Sequence, residues 1–188
     1  MKRLAFLLTF ILTTAIAMAE TKIATIDMEL VIISHPKTKE NRQVLISLQK
    51  DLEKQRDEIL NTIKPTVEKF KAAIEAAQDD SLKDSTKKAR LDEARAIENR
   101  LRKEEDVVKE KIGDLQMDFQ KKELELFKSV VDQIDVVVKA YVQKEKITIV
   151  LDSSAMRTSA PISIVVFSDE SIDITEKIIE ATGGKKPE

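Results

Sequence analysis

The sequence predicts a mainly α-helical fold with a small β body, in which a long antiparallel helical hairpin projects from a short-stranded oligomerisation body. Three observations predict it. Charged residues make up 35% of the 188 and aromatic residues 4%, with three glycines and no tryptophan. That balance suits long helices and cannot fill a wide globular core. Two long central stretches carry apolar residues at gaps of three, four or seven, which keeps them on one helical face. Strand-like alternation occurs only near the two ends of the chain.

Residues 1–19 form a separate segment. Lys2 and Arg3 open it, an apolar run follows from Leu4 to Ile16, and Ala17-Met18-Ala19 places small residues at both key cleavage positions. This is the three-part pattern of a signal peptide, with cleavage expected after Ala19. The apolar run is shorter than the roughly 20 residues that span a bilayer. Removing Lys2 and Arg3 leaves 30 basic against 34 acidic side chains, a net charge of −4. The chain has no cysteine, so neither a disulfide nor a lipidated cysteine can form.

Residues 20–36 hold the first strand and the entry to the hairpin. Ile23 and Ile26 are the apolar positions of that strand. Residues 28–33 are apolar enough for a helical turn, and His35-Pro36 breaks it, because a residue before proline avoids the helical region. Residues 37–145 form the hairpin. Its first helix, to about residue 78, carries the stripe Leu45, Leu48, Leu52, Ile59, Ile63, Val67, Phe70, Ile74 and Ala77. Pro65 inside it deletes a backbone bond and predicts a kink. Asp79-Asp80-Ser81 reads as the turn. The second helix, from about 83 to 144, carries Leu91, Ala94, Leu101, Val108, Ile112, Leu115, Phe119, Leu126, Val130, Ile134, Val137 and Tyr141. Two long amphipathic helices joined by a short turn fold back on each other. Gly113 in the second helix is either a pliable point or a tolerated exposed glycine.

Residues 146–182 complete the body with two strands and a helix. Ile147, Ile149 and Leu151 alternate on the first strand. A polar loop from 152 to 160 leads to a second strand at 162–167, which carries Ile164 and Val166. Asp173 with Glu176 three residues later reads as a capping box for the last helix. Residues 183–188 read as a loose tail. Three short strands and one short helix make a body that a single chain covers poorly. Identical copies are the expected source of cover, with Ile23, Ile26, Ile147, Ile149, Leu151, Ile164 and Val166 at the contact.

These pieces, in this order, resemble the Skp/OmpH family of periplasmic chaperones across essentially all of the chain after residue 19. The matching segments are KIATID, the charged hairpin, KITIVLDSSA and IDITEKII. The resemblance implies a homotrimer whose strands form a central body and whose hairpins project as tentacles around a cavity. It implies an ATP-independent holdase that keeps unfolded outer-membrane proteins from aggregating in the periplasm. The partners it brings in are those clients, further copies of the chain, and a membrane or lipopolysaccharide surface; no nucleic acid is among them. The chain departs from the family at one point: familiar members are strongly basic. The alternative is a structural coiled-coil envelope protein acting as a spacer or tether.

No catalytic, cofactor or metal constellation is legible. His35 is the only histidine and reads as an ordinary loop residue. The chain has neither a glycine-rich phosphate loop nor a nucleophile elbow. No cofactor is expected and the protein is not read as an enzyme. Between Lys83 and Lys103 there are eight basic residues and four acidic ones. Lys83, Lys87, Lys88, Arg90, Arg95, Arg100, Arg102 and Lys103 are therefore the candidate client-steering tip. The competing reading is a solvated helix face. Phe70, Ile74, Met117, Phe119 and Phe127 read first as helix-to-helix packing and second as client contacts.

Overall fold

A computed structural model describes residues 21–79, 81–154 and 165–187. The leader and Ile162 to Ile164, half of the expected strand at 162–167, lie outside the described residues. The elements run β1 (Ile23–Ile26), α1 (Met28–Ser34), α2 (Pro36–Ala77), α3 (Asp84–Glu145), β2 (Ile149–Asp152) and α4 (Thr175–Ala181), with a 3₁₀ turn at Glu170–Ile172 before α4. The fold is mainly α with a small sheet and a helical hairpin, as the sequence predicts.

The two strands pair in parallel, Ile23 opposite Ile149 through Ile26 opposite Asp152. A parallel pair needs a long crossover, and here the crossover is α1 and the entire hairpin. Backbone bonds extend the ladder at both ends: the Thr148 N–H donates to the Lys22 carbonyl at 2.8 Å, and the Ser153 N–H to the Ile26 carbonyl at 2.8 Å. On its other edge β1 bridges Asp173, and the Ile174 N–H donates to the Thr25 carbonyl at 2.9 Å.

Three aspartates fasten the turns of this body. Asp27 Oδ1 accepts from the Leu30 N–H at 2.9 Å and so caps α1. Asp152 Oδ1 accepts from the Ser154 N–H at 2.9 Å and from the Met28 N–H at 3.4 Å. Asp173 Oδ1 accepts from the Thr175 N–H at 2.8 Å. The last contact replaces the expected capping box. Asp173 is held by its bridge to β1 and reaches only the first helical amide, while Glu176 turns outward to Lys186 at 3.3 Å.

The hairpin is asymmetric. α2 has 42 residues and α3 has 62, so at 1.5 Å per residue α3 is longer by about 30 Å. That extra length runs into the body. Val130 and Ile134 of α3 pack with Ala24, Ile26, Met28, Val31, Ile32, Ile174, Ile178 and Ile179 in one core. Ile134, Ile178 and Val31 are fully enclosed, each contributing roughly 1.5–3 kcal/mol by burial. Farther out, Ala94, Leu101 and Val108 are the buried α3 positions, seven residues apart, and Thr66 and Ala77 are the buried positions of the distal part of α2. Pro65 sits inside α2 without interrupting the helix. Between Asn41 and Thr66 no α2 residue is buried, and between Val108 and Val130 no α3 residue is. The packing therefore falls into a proximal and a distal zone.

Two termini depart from expectation. Residues 165–167 form no strand; Val166 and Phe167 stand 95% and 85% exposed. The segment read as a loose tail starts docked. Gly183 takes a φ of 71°, Gly184 N–H donates to the Ile179 carbonyl at 2.9 Å, and Lys185 N–H to the Ser34 carbonyl at 3.2 Å. With the Gly183 N–H donating to the Glu180 carbonyl at 2.9 Å, the Gly184 bond completes a Schellman stop, and the Lys185 bond ties it to α1.

The glycines give a paired prediction. A Cβ on Gly184 would lie 2.6 Å from the Ser34 carbonyl oxygen, whereas one on Gly113 would meet nothing within 4 Å. Gly184→Ala is expected to destabilise by about 1–3 kcal/mol. Gly113→Ala is expected to stabilise by up to about 1 kcal/mol. Urea unfolding of the two variants measures both.

Candidate interaction surfaces

The strand alternation in β2 runs opposite to that of an ordinary half-buried strand. Val150 and Asp152 face the core side, and Ile149 and Leu151 stand out at 42% and 44% exposed. Ile23, paired with Ile149, is equally exposed. The three make one outward apolar face on the sheet. Of the other residues expected at the oligomer contact, Ile26 is buried in the chain's own core and Ile147 packs against that core. Val166 is open to solvent.

A second surface runs along the hairpin. Its exposed large apolar side chains are Val44, Ile46, Leu91, Val107, Met117, Leu124, Phe127 and Val136. Asn41 Nδ2 donates to the Leu126 carbonyl at 3.0 Å, which sets the pairing of the helices and puts Val44 and Ile46 at about the level of Leu124 and Phe127 along the hairpin. Six of the eight thus lie in the half of the hairpin nearest the body. Phe70, Ile74 and Phe119 are half-buried in the helix seam, whereas Met117 and Phe127 face solvent.

The third surface is the basic stretch. Lys83, Lys88, Arg90, Arg95, Arg100, Arg102 and Lys103 are exposed, and Lys87 is half-buried. From Lys83 to Lys103 they extend about 30 Å along α3, so they are not gathered at the turn. Four are matched by acids of their own helix: Arg90 by Glu93 at 3.2 Å, Arg95 by Asp92 at 3.5 Å, Arg100 by Glu104 at 2.8 Å and Arg102 by Glu98 at 2.7 Å. The sequence continues directly into Glu104, Glu105 and Asp106. Hydrogen bonding to Glu98, then its charge, pushes the Arg102 guanidinium pKa up. The Glu104 carboxyl is held below its ordinary range, first by the Thr66 hydroxyl across the seam and then by Arg100. Lys88, Arg95 and Arg102 recur every seven residues and share one exposed flank.

His35 is the residue that sequence reasoning missed. It is 7% exposed and joins two helices. Its N–H closes α1 on the Ile32 carbonyl at 3.3 Å, and its Nδ1 accepts from the Lys37 N–H at 3.2 Å to cap α2. Its place before Pro36, which has no N–H of its own, was the available signal. Among the described residues no group of three or more His, Asp or Glu side chains is arranged to hold a metal, and no helix is long and apolar enough to cross a membrane.

Against this geometry, residues 22–181 match the model of the family described as outer membrane protein (OmpH-like). The match runs from the residue before β1 to the last residue of α4. The chain belongs to the OmpH-like family. No curated protein matches it. Membership supports a chaperone-type role toward outer-membrane proteins. The sequence reading reached the same family.

The basic flank gives a salt-dependent prediction. Replacing Lys88, Arg95 and Arg102 together by Gln is expected to leave the thermal melt almost unchanged, because all three side chains are solvated. Stopped-flow association with a labelled acidic unfolded polypeptide is expected to slow at low ionic strength. The difference should vanish near 1 M salt, where the Debye length falls to about 3 Å. Equal rates at low salt would assign the flank to solvation alone.

Proposed function

We propose that this OmpH-like chain is an ATP-independent periplasmic holdase. It binds unfolded outer-membrane proteins in a cavity between helical hairpins and prevents their aggregation. Family membership supports the class of client. The observation that carries the mechanism is the concentration of exposed Val44, Ile46, Met117, Leu124, Phe127 and Val136 in the body-proximal half of the hairpin. An unfolded β-barrel chain presents alternating apolar side chains, and a wall of separate apolar contacts can hold many such sequences without selecting one. Flexible Met117 suits that use. Release needs no nucleotide, because each contact is weak and reversible.

The reading includes a homotrimer. Ile23, Ile149 and Leu151 leave an apolar face on a two-stranded sheet, and such a sheet is weakly stable alone. Copies of the same face bury one another, and the hairpins then stand around a shared space. It also includes export: the leader of residues 1–19 is cleaved and the chain works in the periplasm. The unit that works there is the hairpin of residues 37–145 on a body made of residues 20–36 and 146–182. The basic stretch Lys83 to Lys103 has a secondary role, since half of its cations are matched on α3 itself. A membrane or lipopolysaccharide surface is accordingly the weakest of the proposed partners.

Two variants test the reading. Ile149→Asp places charges where the bodies meet, and an uncompensated charge costs far more there than the contact returns. Light scattering is expected to show monomer or unfolded chain, and a stable trimer would overturn the interface. Leu124→Ser with Phe127→Ser changes exposed positions and is expected to keep the trimer. It should lose most of the protection of an unfolded β-barrel protein against aggregation, measured without nucleotide. Full protection by that variant would remove the proximal wall from the mechanism.

A further inference from the structure

The hairpin is rooted at one titratable residue, the buried ring of His35. His35 has an extended backbone, φ −70° and ψ 133°, because Pro36 disfavours the helical region before it. Pro36 has no N–H, so Lys37 supplies the first free amide of α2, and His35 Nδ1 is its acceptor at 3.2 Å. An accepting Nδ1 requires the neutral ring with its proton on Nε2. The same residue ends α1, and its carbonyl accepts from the Thr38 N–H at 3.0 Å. Thr38 Oγ1 in turn donates to the Ile32 carbonyl at 2.5 Å. Its neighbour Ser34 is clamped by the Lys185 N–H and by the close approach of Gly184. The body thus grips His35 from one side, and α2 starts from the other.

We propose that His35 is a proton-sensitive latch between body and hairpin: a proton taken up on Nδ1 on acidification removes the cap of α2 and loosens the root of the hairpin. A protonated Nδ1 is a donor facing a donor, so the cap bond is replaced by repulsion. Burial first, and the charge of Lys37 second, hold the ring below its ordinary value, while Glu40 opposes them. Around it, Glu29 is the only titratable residue of α1, Arg42 of α2 and Glu123 of α3 line the groove with Thr38 and Asn41, and Lys185 of the tail bonds the Ser34 carbonyl through its N–H. The sign follows from the neutral form being favoured in the fold. The contribution is complete above the unfolded value of about 6.5 and is lost as pH falls through the lower folded value.

This is the only histidine in the chain, so its ring resonance in the full-length protein is unambiguous. NMR titration is expected to give a pKa below 6.5. Hydrogen exchange at the Lys37 amide, expressed as a protection factor, is expected to fall about fivefold from about pH 7.5 to a pH below the measured ring pKa, the worth of one helix cap. His35→Asn offers an acceptor that does not titrate, and its Lys37 protection should hold steady across the same range. A ring that titrates at or above 6.5 would overturn the latch. So would a parallel loss of Lys37 protection in wild type and His35→Asn.

Discussion

The pairing of β1 with β2 is the contact on which the rest of the molecule depends. It joins segments on either side of the whole hairpin: Lys22 Nζ reaches across 123 positions of sequence to the Glu145 carbonyl at 2.9 Å. Closing so long a loop has an entropic cost that grows slowly with length, and the antiparallel α2–α3 packing offsets it by bringing the ends together. Once joined, the ends share one core, in which Ile26 and Val31 from the first segment meet Val130 and Ile134 of α3 and Ile178 of α4. Asp27, Asp152 and Asp173 then fix the chain where strands give way to turns and helices. Without the sheet, α1 and α4 have no common floor.

The same economy leaves surfaces open. A two-stranded sheet has little area, and α1, α3 and α4 cover one side of it. The other side keeps Ile23, Ile149 and Leu151 in solvent, the inverse of the usual polar-out arrangement of strands. The hairpin has a related tension. Its seam uses small or single apolar residues such as Ala77, Ala94 and Leu101, so larger ones on the flanks stay outside. On the proposed reading those two exposures have separate uses: the sheet face joins copies, and the hairpin flanks meet clients.

Much of this is legible in the amino-acid sequence, for a physical reason. Helical packing is local, so the spacing of Ala94, Leu101 and Val108 reports the seam directly, and Asp79 to Ser81 marks the turn. The partner of a short parallel strand is not local. Ile147 to Leu151 alternates as a strand should, yet nothing in those residues says that Ile149 points outward while Val150 points in. That depends on which side α1 and α3 come to cover. Asp173 was misread for a similar reason, since its bridge to Thr25 pulls it out of capping-box geometry. His35 looked like a turn residue because caps are expected to be Ser, Thr, Asp or Asn. Its place before Pro36 hinted at a cap, and Nδ1 set against the Lys37 amide shows it. The charge count from Lys83 to Lys103 was real, but its boundary stopped short of Glu104, Glu105 and Asp106, and the acids between the cations pair with them on the same helix.

The central claim is that the body is completed by other copies of the chain through the outward face of the sheet. Its most direct test is the urea midpoint of the wild-type protein over a hundredfold range of protein concentration, followed by circular dichroism. Anything that binds the folded state alone shifts its stability by mass action. A midpoint that rises steadily with concentration is the predicted result. A midpoint independent of concentration, in a protein that stays folded and monomeric at the dilute end, would contradict the claim.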